Sequence, residues 1–346
     1  MNRLVDGEWR TDLNETTDDD GRFQRSTTRF RDWIAGSDVP THVESVANDT
    51  EPSSRFQPEA GRYHLYVSLA CPWAHRALAT RTLRGLEETI EVSVVDPWRG
   101  ADGWQFSPDK EGCTRDKARD SEYLRELYIH ADPEANGRVT VPVLWDTKHE
   151  TIVNNESREI IRMLDTAFDE YADPDSRLLP ESPADIREVD QLITDIYEPI
   201  NNGVYRAGFA TSQTAYDQAV EELFDALDHW NEVLADQRFL AGDQLTEADI
   251  CMFTTLVRFD AVYHTHFMCN QQFIHQYDNL WPYLRDIYQT GSVAETVNMD
   301  QIKEHYYTTH PSVTPTGIVA TGPNPDLETP HERAGMTDAS ATPADD

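Results

Sequence analysis

Apolar residues in the first half of the chain fall into short runs separated by polar loops. The clearest run, Tyr63–Val67, is rich in aromatic and β-branched residues, which is typical of a buried β-strand. The whole pattern predicts four strands, over residues 63–67, 90–95, 139–145 and 151–153, and three helices, over residues 72–84, 122–128 and 156–168. The resulting order, β-α-β-α-β-β-α, is a thioredoxin-type arrangement.

The second half of the chain has helical periodicity. A polar, Pro-rich stretch over residues 172–183 precedes it and predicts an interdomain linker. Beyond the linker, helices are predicted over residues 184–197, 214–234, 246–262 and 280–288. Thr246 and Asp249 have the spacing of a capping box, a structural feature of a helix start. The predicted organisation is an N-terminal extension packed on the surface (1–58), a thioredoxin-like domain (59–171), an all-helical domain (183–310) and a C-terminal tail (311–346) whose end is disordered.

Composition adds a strong charge imbalance. The 346 residues include 63 acidic and 29 basic ones, giving a net charge of -34, and the excess is spread over the whole chain. An acidic surface poor in lysine indicates a halophile, because concentrated salt screens the self-repulsion. No basic patch suited to nucleic acid or to an anionic membrane occurs, so neither is expected as a partner.

The cysteine content and the N-terminus indicate a cytoplasmic protein. Four scattered cysteines are too few for a disulfide framework in a chain of this length. The first residues lack the apolar segment of a signal peptide, and no stretch of 18 apolar residues occurs. A reducing compartment is therefore expected.

Cys71 is the most informative candidate for chemistry. It follows the predicted strand and precedes Pro72, which suits the first turn of a helix. Unpaired N–H groups and the helix dipole at such a position favour a thiolate, so we expect a pKa below that of free cysteine. The motif is C-x-x-A, so the thiol has no second cysteine nearby and must form mixed disulfides with another molecule. The alternative is a buried structural cysteine.

Two further segments indicate a site for a peptide-like ligand. Pro142 is expected to be cis and to face the cysteine, which leaves the Val141 backbone free; the alternative is an edge-strand proline. Glu156 and Ser157 open a predicted helix, whose N-terminus suits a carboxylate, while Glu156 suits an ammonium group. Such a pair of sites matches the head of a γ-glutamyl group, although a plain helix cap is an equal alternative.

Several longer segments carry a specific resemblance. They are Cys71-Pro72-Trp73-Ala74-His75-Arg76, Asp102-Gly103-Trp104-Gln105-Phe106, residues 128–133, 138–146, 155–157, 201–210, 245–250 and 255–260, His305-Tyr306 and residues 315–318. Together they resemble the glutathionyl-hydroquinone reductases, which are the Xi-class or omega-like glutathione transferases. The resemblance covers about residues 56–332 and both predicted domains. It implies the α+β two-domain glutathione transferase fold, thioredoxin-like and then all-α, and a homodimer.

The resemblance also implies roles for individual residues. Cys71 would attack the sulfur of a glutathionyl-hydroquinone and expel the hydroquinone, and a second thiol would resolve the mixed disulfide. Tyr205 and Tyr306 match tyrosines that line the hydroquinone pocket, where a phenol can donate a proton; ordinary packing is the alternative. The positions that would hold glutathione are Trp104, Val141, Pro142, Glu156 and Ser157.

Other activities and sites stay open at this point. A broader thioltransferase or dehydroascorbate-type reductase would use the same Cys71, and a non-catalytic member would only bind ligands. The spacing His264-x-His266-x-x-Cys269 suggests zinc but lacks a fourth ligand, so no metal is expected. Cys113, in a charged loop, is expected to be a passive or redox-sensitive thiol.

The small-molecule thiol is expected to be glutathione or γ-glutamylcysteine. The halophilic composition favours γ-glutamylcysteine, which lacks the glycyl carboxylate of glutathione. The candidates for binding that carboxylate are Arg76 and the arginines that follow Cys113.

Salt should stabilise this protein. With a net charge of -34, repulsion at low ionic strength should loosen the fold, whereas molar salt reduces the Debye length to about 3 Å. Thermal melts in potassium chloride, from low to molar concentration, should show a rising Tm. A flat or falling trend would mean that the acidic surface is not a salt adaptation.

Overall fold

A four-stranded mixed sheet forms the centre of the N-terminal half. The computed structural model describes residues 2–12, 16–40 and 55–336. The strands in this part of the chain are β1 (Arg3–Val5), β2 (Glu8–Arg10), β3 (Tyr63–Val67), β4 (Glu91–Val94), β5 (Val143–Asp146) and β6 (Thr151–Asn154). The sheet has the order β4-β3-β5-β6, in which β3 pairs parallel with β4 and antiparallel with β5. The first two strands form a separate hairpin.

Ten α-helices lie within the described ranges. They are α1 (Pro72–Leu83), α2 (Leu124–Ala131), α3 (Ser157–Thr166), α4 (Pro183–Ile196), α5 (Gly203–Gly208), α6 (Gln213–Val233), α7 (Glu247–Arg258), α8 (His264–His266), α9 (Leu280–Tyr288) and α10 (Met299–Thr309). Within the described ranges, none of them combines the length and the apolarity needed to span a bilayer. The fold is therefore the expected one, a thioredoxin-like half followed by an all-α half.

The elements that were predicted agree with the structure to within a few residues, except at two places. The third strand begins at Val143 rather than at residue 139, because Pro142 lacks the N–H that a strand ladder requires. The long helix predicted over residues 246–262 ends at Arg258 and continues as a π-helical stretch, Phe259–Tyr263. The Thr246 and Asp249 side chains form the capping box that their spacing predicts. The sequence pattern did not reveal β1, β2, α5, α8 or α10.

The N-terminal extension, which was expected to pack on the surface, also contributes residues to the first core. Leu4, Trp33, Ile34 and Phe56 are each at most 1% exposed and belong to the same apolar cluster as β3 and β5. These residues are isolated in a polar context, so they have no periodicity to signal burial. The stretch of residues 41–54 and the predicted disordered end of the tail lie outside the described residues.

Buried ion pairs join the two halves. Arg162 on α3 donates to both carboxylate oxygens of Glu247 on α7, each at 2.9 Å, and also contacts Asp190 on α4. Arg162 and Glu247 are 1% and 0% exposed, so the desolvation of each charge is offset only if the other is present. This pairing fixes how α3, which begins at Ser157, lies against the helical half.

Candidate active site

Cys71 occupies the corner between β3 and α1. It is the residue just before the first turn of α1, and Pro72 is the first residue of that helix. The Sγ–H of Cys71 points at the Val141 carbonyl, 3.8 Å away, and the Val141-Pro142 peptide bond is cis. The Val141 amide N–H has no hydrogen-bond partner in the described part of the chain. A free backbone N–H beside the thiol is what an extended ligand needs.

Arg258, from the helical half, holds this corner in place. Its guanidinium donates to the carbonyls of Leu69 and Ala70, at 3.0 and 2.9 Å, and to Nδ1 of His75 at 2.9 Å. Because Nδ1 accepts that bond, Nε2 of His75 carries the proton and donates to Thr296 Oγ1 at 2.7 Å. Arg258 is fully buried. The residues on either side of Cys71 are therefore tied to α7.

A large cavity of about 760 Å³ opens beside the thiol. It lies between the two halves and the N-terminal extension. Cys71, Trp104, Val141, Tyr205 and Tyr306, all predicted site residues, line its wall. Trp104 stacks on His305, with ring centroids 5.2 Å apart and planes 19° apart. The predicted thiol, the indole and the two phenols therefore face one space.

The tyrosines form a hydrogen-bonded chain of three hydroxyls. The Tyr205 and Tyr306 hydroxyls are 2.6 Å apart, and the Tyr263 hydroxyl lies 2.9 Å behind that of Tyr306. Burial raises the pKa of each of them, so all three are neutral proton donors at ordinary pH. Tyr263 ends the π-helical stretch after α7, and such stretches are frequent at functional sites. A chain of neutral hydroxyls can hydrogen-bond or protonate a ring oxygen.

A second, smaller cavity of about 120 Å³ contains the remaining predicted residues, Pro142, Glu156 and Ser157. Glu156 is the cap of α3, and its carboxylate accepts a hydrogen bond from the Thr28 hydroxyl at 3.2 Å. Ser157 is the first residue of that ten-residue helix. Val141 lines both cavities. All eight predicted site residues thus lie around two adjoining spaces that meet near Cys71.

Three arginines that the sequence did not single out line the large cavity. Arg25 and Arg138 line both, and Arg99 lines the large one. The Arg25 guanidinium lies 4.6 Å from the Trp73 ring and 5.0 Å from that of Tyr205. No local signal distinguishes them: Arg25 is in a polar extension, Arg99 in a loop and Arg138 before a strand.

The arginines named from the sequence for the glycyl carboxylate line neither cavity. Arg76 is buried and donates to Asn201 Oδ1 at 2.7 Å and to Ser157 Oγ at 3.4 Å. Arg119, which follows Cys113, contacts Glu150 and His130. Both guanidinium groups thus have other partners. The expectation that these arginines bind the glycyl carboxylate is therefore corrected.

The expectation of a low Cys71 pKa is wrong for this structure. Burial raises the pKa of the thiol, and this effect exceeds the lowering by the Ala74 and Trp73 amides and by the charges of Arg258 and Arg25. The helix terminus does act in the expected direction. Local sequence, however, does not reveal how much solvent the tertiary structure removes.

The spacing His264-x-His266-x-x-Cys269 does not correspond to a metal site in the described residues. His264 stacks on Phe273, His266 contacts Thr314 Oγ1, and the Cys269 thiol points at a backbone carbonyl. Among the described residues, no group of three or more His, Cys, Asp or Glu side chains could hold a metal ion. Burial raises the pKa of Cys113 to about 11, and its sulfur accepts a bond from Gln301.

Comparison with known proteins places both halves in one family. Residues 70–167 match the model of the glutathione S-transferase N-terminal domain, and residues 213–286 match that of the C-terminal domain. Glutathionyl-hydroquinone reductase YqjG of Escherichia coli is 50% identical over 333 residues, which are 96% of this chain and 98% of that protein.

Two solved structures match nearly the whole chain. The Xi class glutathione transferase from Natrialba magadii is 63% identical, with a TM-score of 0.88, and covers 98% of each chain. The glutathione-bound structure of YqjG is 48% identical, with a TM-score of 0.84, and covers 96% of this chain and 98% of that one.

The alkylation of Cys71 should report its raised pKa. In a Cys113→Ala background, the rate with iodoacetamide should rise with pH through a midpoint above about 8.5, the value of free cysteine, because burial favours the neutral thiol. Arg25→Gln should shift the midpoint to still higher pH, and the remote Arg119→Gln should not. A midpoint below the free value would contradict the prediction.

Proposed function

The chain belongs to the Xi class of the glutathione transferase family, and we propose that it cleaves S-glutathionyl-hydroquinones with Cys71 as the nucleophile. The observation that carries the proposal is the position of the Cys71 thiol, which lines a cavity of about 760 Å³ that adjoins a smaller one of about 120 Å³ containing Glu156 and Ser157. This arrangement suits a molecule in which a thiol peptide is joined through sulfur to an aromatic ring. The similarity to YqjG supports it.

In the first step, the Cys71 thiolate attacks the sulfur of the conjugate. A disulfide bond forms between the two sulfurs while the bond from sulfur to the ring carbon breaks. The electron pair goes to the ring, which takes up a proton and leaves as the hydroquinone. The two sulfurs are oxidised and the ring is reduced, so no other oxidant or reductant takes part.

In the second step, another thiol molecule attacks the peptide sulfur of the mixed disulfide. This releases the Cys71 thiol and a low-molecular-weight disulfide. Because the chain has Ala74 where a dithiol motif has its second cysteine, it has no adjacent thiol of its own for this step.

The binding contacts follow from the residues of each cavity. The N-terminus of α3 at Ser157 suits the γ-glutamyl carboxylate, and the Glu156 carboxylate suits the ammonium group. The free Val141 N–H suits the cysteinyl carbonyl. Arg138, which lines both cavities, is the best candidate for the carboxylate at the other end of the peptide.

The hydroquinone end is assigned to the large cavity. The Tyr205 and Tyr306 hydroxyls line it and can donate to the ring oxygens or protonate the leaving ring. The buried Tyr263 hydroxyl positions that of Tyr306. A homodimer, a cytoplasmic location and adaptation to high salt stay predictions.

The nucleophile is tested by substitution and mass spectrometry. Cys71→Ala should abolish cleavage of glutathionyl-hydroquinone and should give no adduct. The wild-type protein, mixed with the conjugate without a second thiol, should gain the mass of one glutathionyl group on the peptide that contains Cys71. Cys113→Ala, Cys251→Ala and Cys269→Ala should keep most of the activity. Near-normal turnover by Cys71→Ala would contradict the proposal.

The second thiol is tested by comparing glutathione with γ-glutamylcysteine. With one hydroquinone conjugate, we expect kcat/KM values within about tenfold of each other, a difference of about 1.4 kcal/mol in the barrier. Arg138→Gln should reduce kcat/KM for glutathione more than for γ-glutamylcysteine, and Arg119→Gln should change neither. A loss of several orders of magnitude with γ-glutamylcysteine would show that the glycyl carboxylate is essential.

A further inference from the structure

The large cavity differs in charge from the rest of the molecule. The chain has 63 acidic residues among 346, yet none of the described residues that line this cavity is Asp or Glu. Three of the lining residues are arginines, at positions 25, 99 and 138. An uncompensated positive wall in an acidic protein indicates that the cavity receives negative charge.

Arginines elsewhere in the described structure are mostly paired with carboxylates, and these three are not. Arg62, Arg84 and Arg162 each lie within 3.2 Å of a buried Asp or Glu oxygen. Within the described ranges, no carboxylate lies within 4.0 Å of Arg25, Arg99 or Arg138. Arg25 donates to the neutral Asn202 side chain at 3.0 Å. The cavity charges are therefore available to a ligand.

Arg99 is separate from the part of the site assigned to the thiol peptide. Arg25 and Arg138 border both cavities, whereas Arg99 borders only the large one, together with Tyr205 and Tyr306. One arginine is enough for the terminal carboxylate of the peptide. Arg99 is thus left for the aromatic part of the substrate.

The surroundings of Arg99 hold its guanidinium beside the ring pocket. It lies 5.4 Å from the centre of the Trp104 ring, and its backbone N–H donates to Thr309 Oγ1 on α10 at 3.3 Å. Trp104 stacks on His305, the neighbour of Tyr306. Burial lowers the pKa of Arg99, and negative charge on Cys71, Tyr205 or Tyr306 raises it. An anion bound beside Arg99 would likewise raise the pKa of its guanidinium group.

We propose that Arg99, with the Tyr205 and Tyr306 hydroxyls, forms a binding site for a negatively charged substituent on the aromatic ring of the substrate. The enzyme then favours conjugates of anionic hydroquinones, such as those with a ring carboxylate, over conjugates of neutral ones. The inference rests on the proposed function, since it assigns the ring to the large cavity. It names the class of hydroquinone that the site selects.

The test measures binding of ring probes rather than turnover. Saturating S-methylglutathione occupies the peptide subsite, and 2,5-dihydroxybenzoate or hydroquinone is then titrated at constant molar potassium chloride by calorimetry. A charge-assisted contact predicts a Kd at least about tenfold lower for the carboxylated probe. Arg99→Gln should remove this preference with little change for hydroquinone, and Arg99→Lys should keep part of it.

Two controls separate the possible outcomes. Arg119→Gln removes an equal charge far from the cavity and should leave both Kd values unchanged, and thermal melts verify that each variant is folded. Equal affinity of the wild-type protein for the two probes, or a preference that survives in Arg99→Gln, would overturn the proposal. An equal loss of affinity for both probes in Arg99→Gln would also overturn it, because Arg99 would then act only by holding the Trp104 ring in place. The Cys71 adduct is measured in a separate experiment. Failure of the proposed function can therefore be distinguished from failure of the Arg99 proposal.

Discussion

The interaction on which the site depends most is the one that Arg258 makes across the two halves of the molecule. Its guanidinium has no carboxylate partner among the described residues and is bound by the carbonyls of Leu69 and Ala70, by His75 and by its own helix. A buried charge held by carbonyl oxygens is costly to disturb. The residues next to Cys71 are therefore fixed by the helical half, and neither half contains the site alone.

Burial has opposite consequences for the groups around this corner. It raises the pKa of the Cys71 thiol and of the Tyr205, Tyr263 and Tyr306 hydroxyls, and it lowers the pKa of His305 to about 3. All of these groups are thus neutral in the ligand-free protein, while the arginines of the cavity remain positive. Such a site favours an anionic ligand. The charge of a bound ligand then acts in turn on the pKa of the Cys71 thiol.

Negative charge lies mainly on the surface of the protein, whereas the large cavity is lined by positive charge. Repulsion between the carboxylates of a chain with net charge -34 acts at the surface, where salt screens it. The large cavity excludes those carboxylates, so its arginines keep their charge for the ligand rather than for a neighbouring side chain. The protein can therefore be acidic overall and still offer a positively charged cavity to an anionic ligand.

The sequence by itself determined most of the elements and the position of Cys71 at a strand–helix corner, because both depend on local patterns. Strand and helix periodicity, Pro72 after Cys71 and the Glu156-Ser157 helix start are readable over a few residues. The burial of the N-terminal extension and the presence of α10 were not readable in this way, since isolated apolar residues and weak periodicity give no local signal. Only the tertiary structure decided the raised Cys71 pKa and the positive wall of the cavity. Both depend on solvent exclusion and on the distances between residues far apart in the chain, such as Arg25, Arg99 and Arg138.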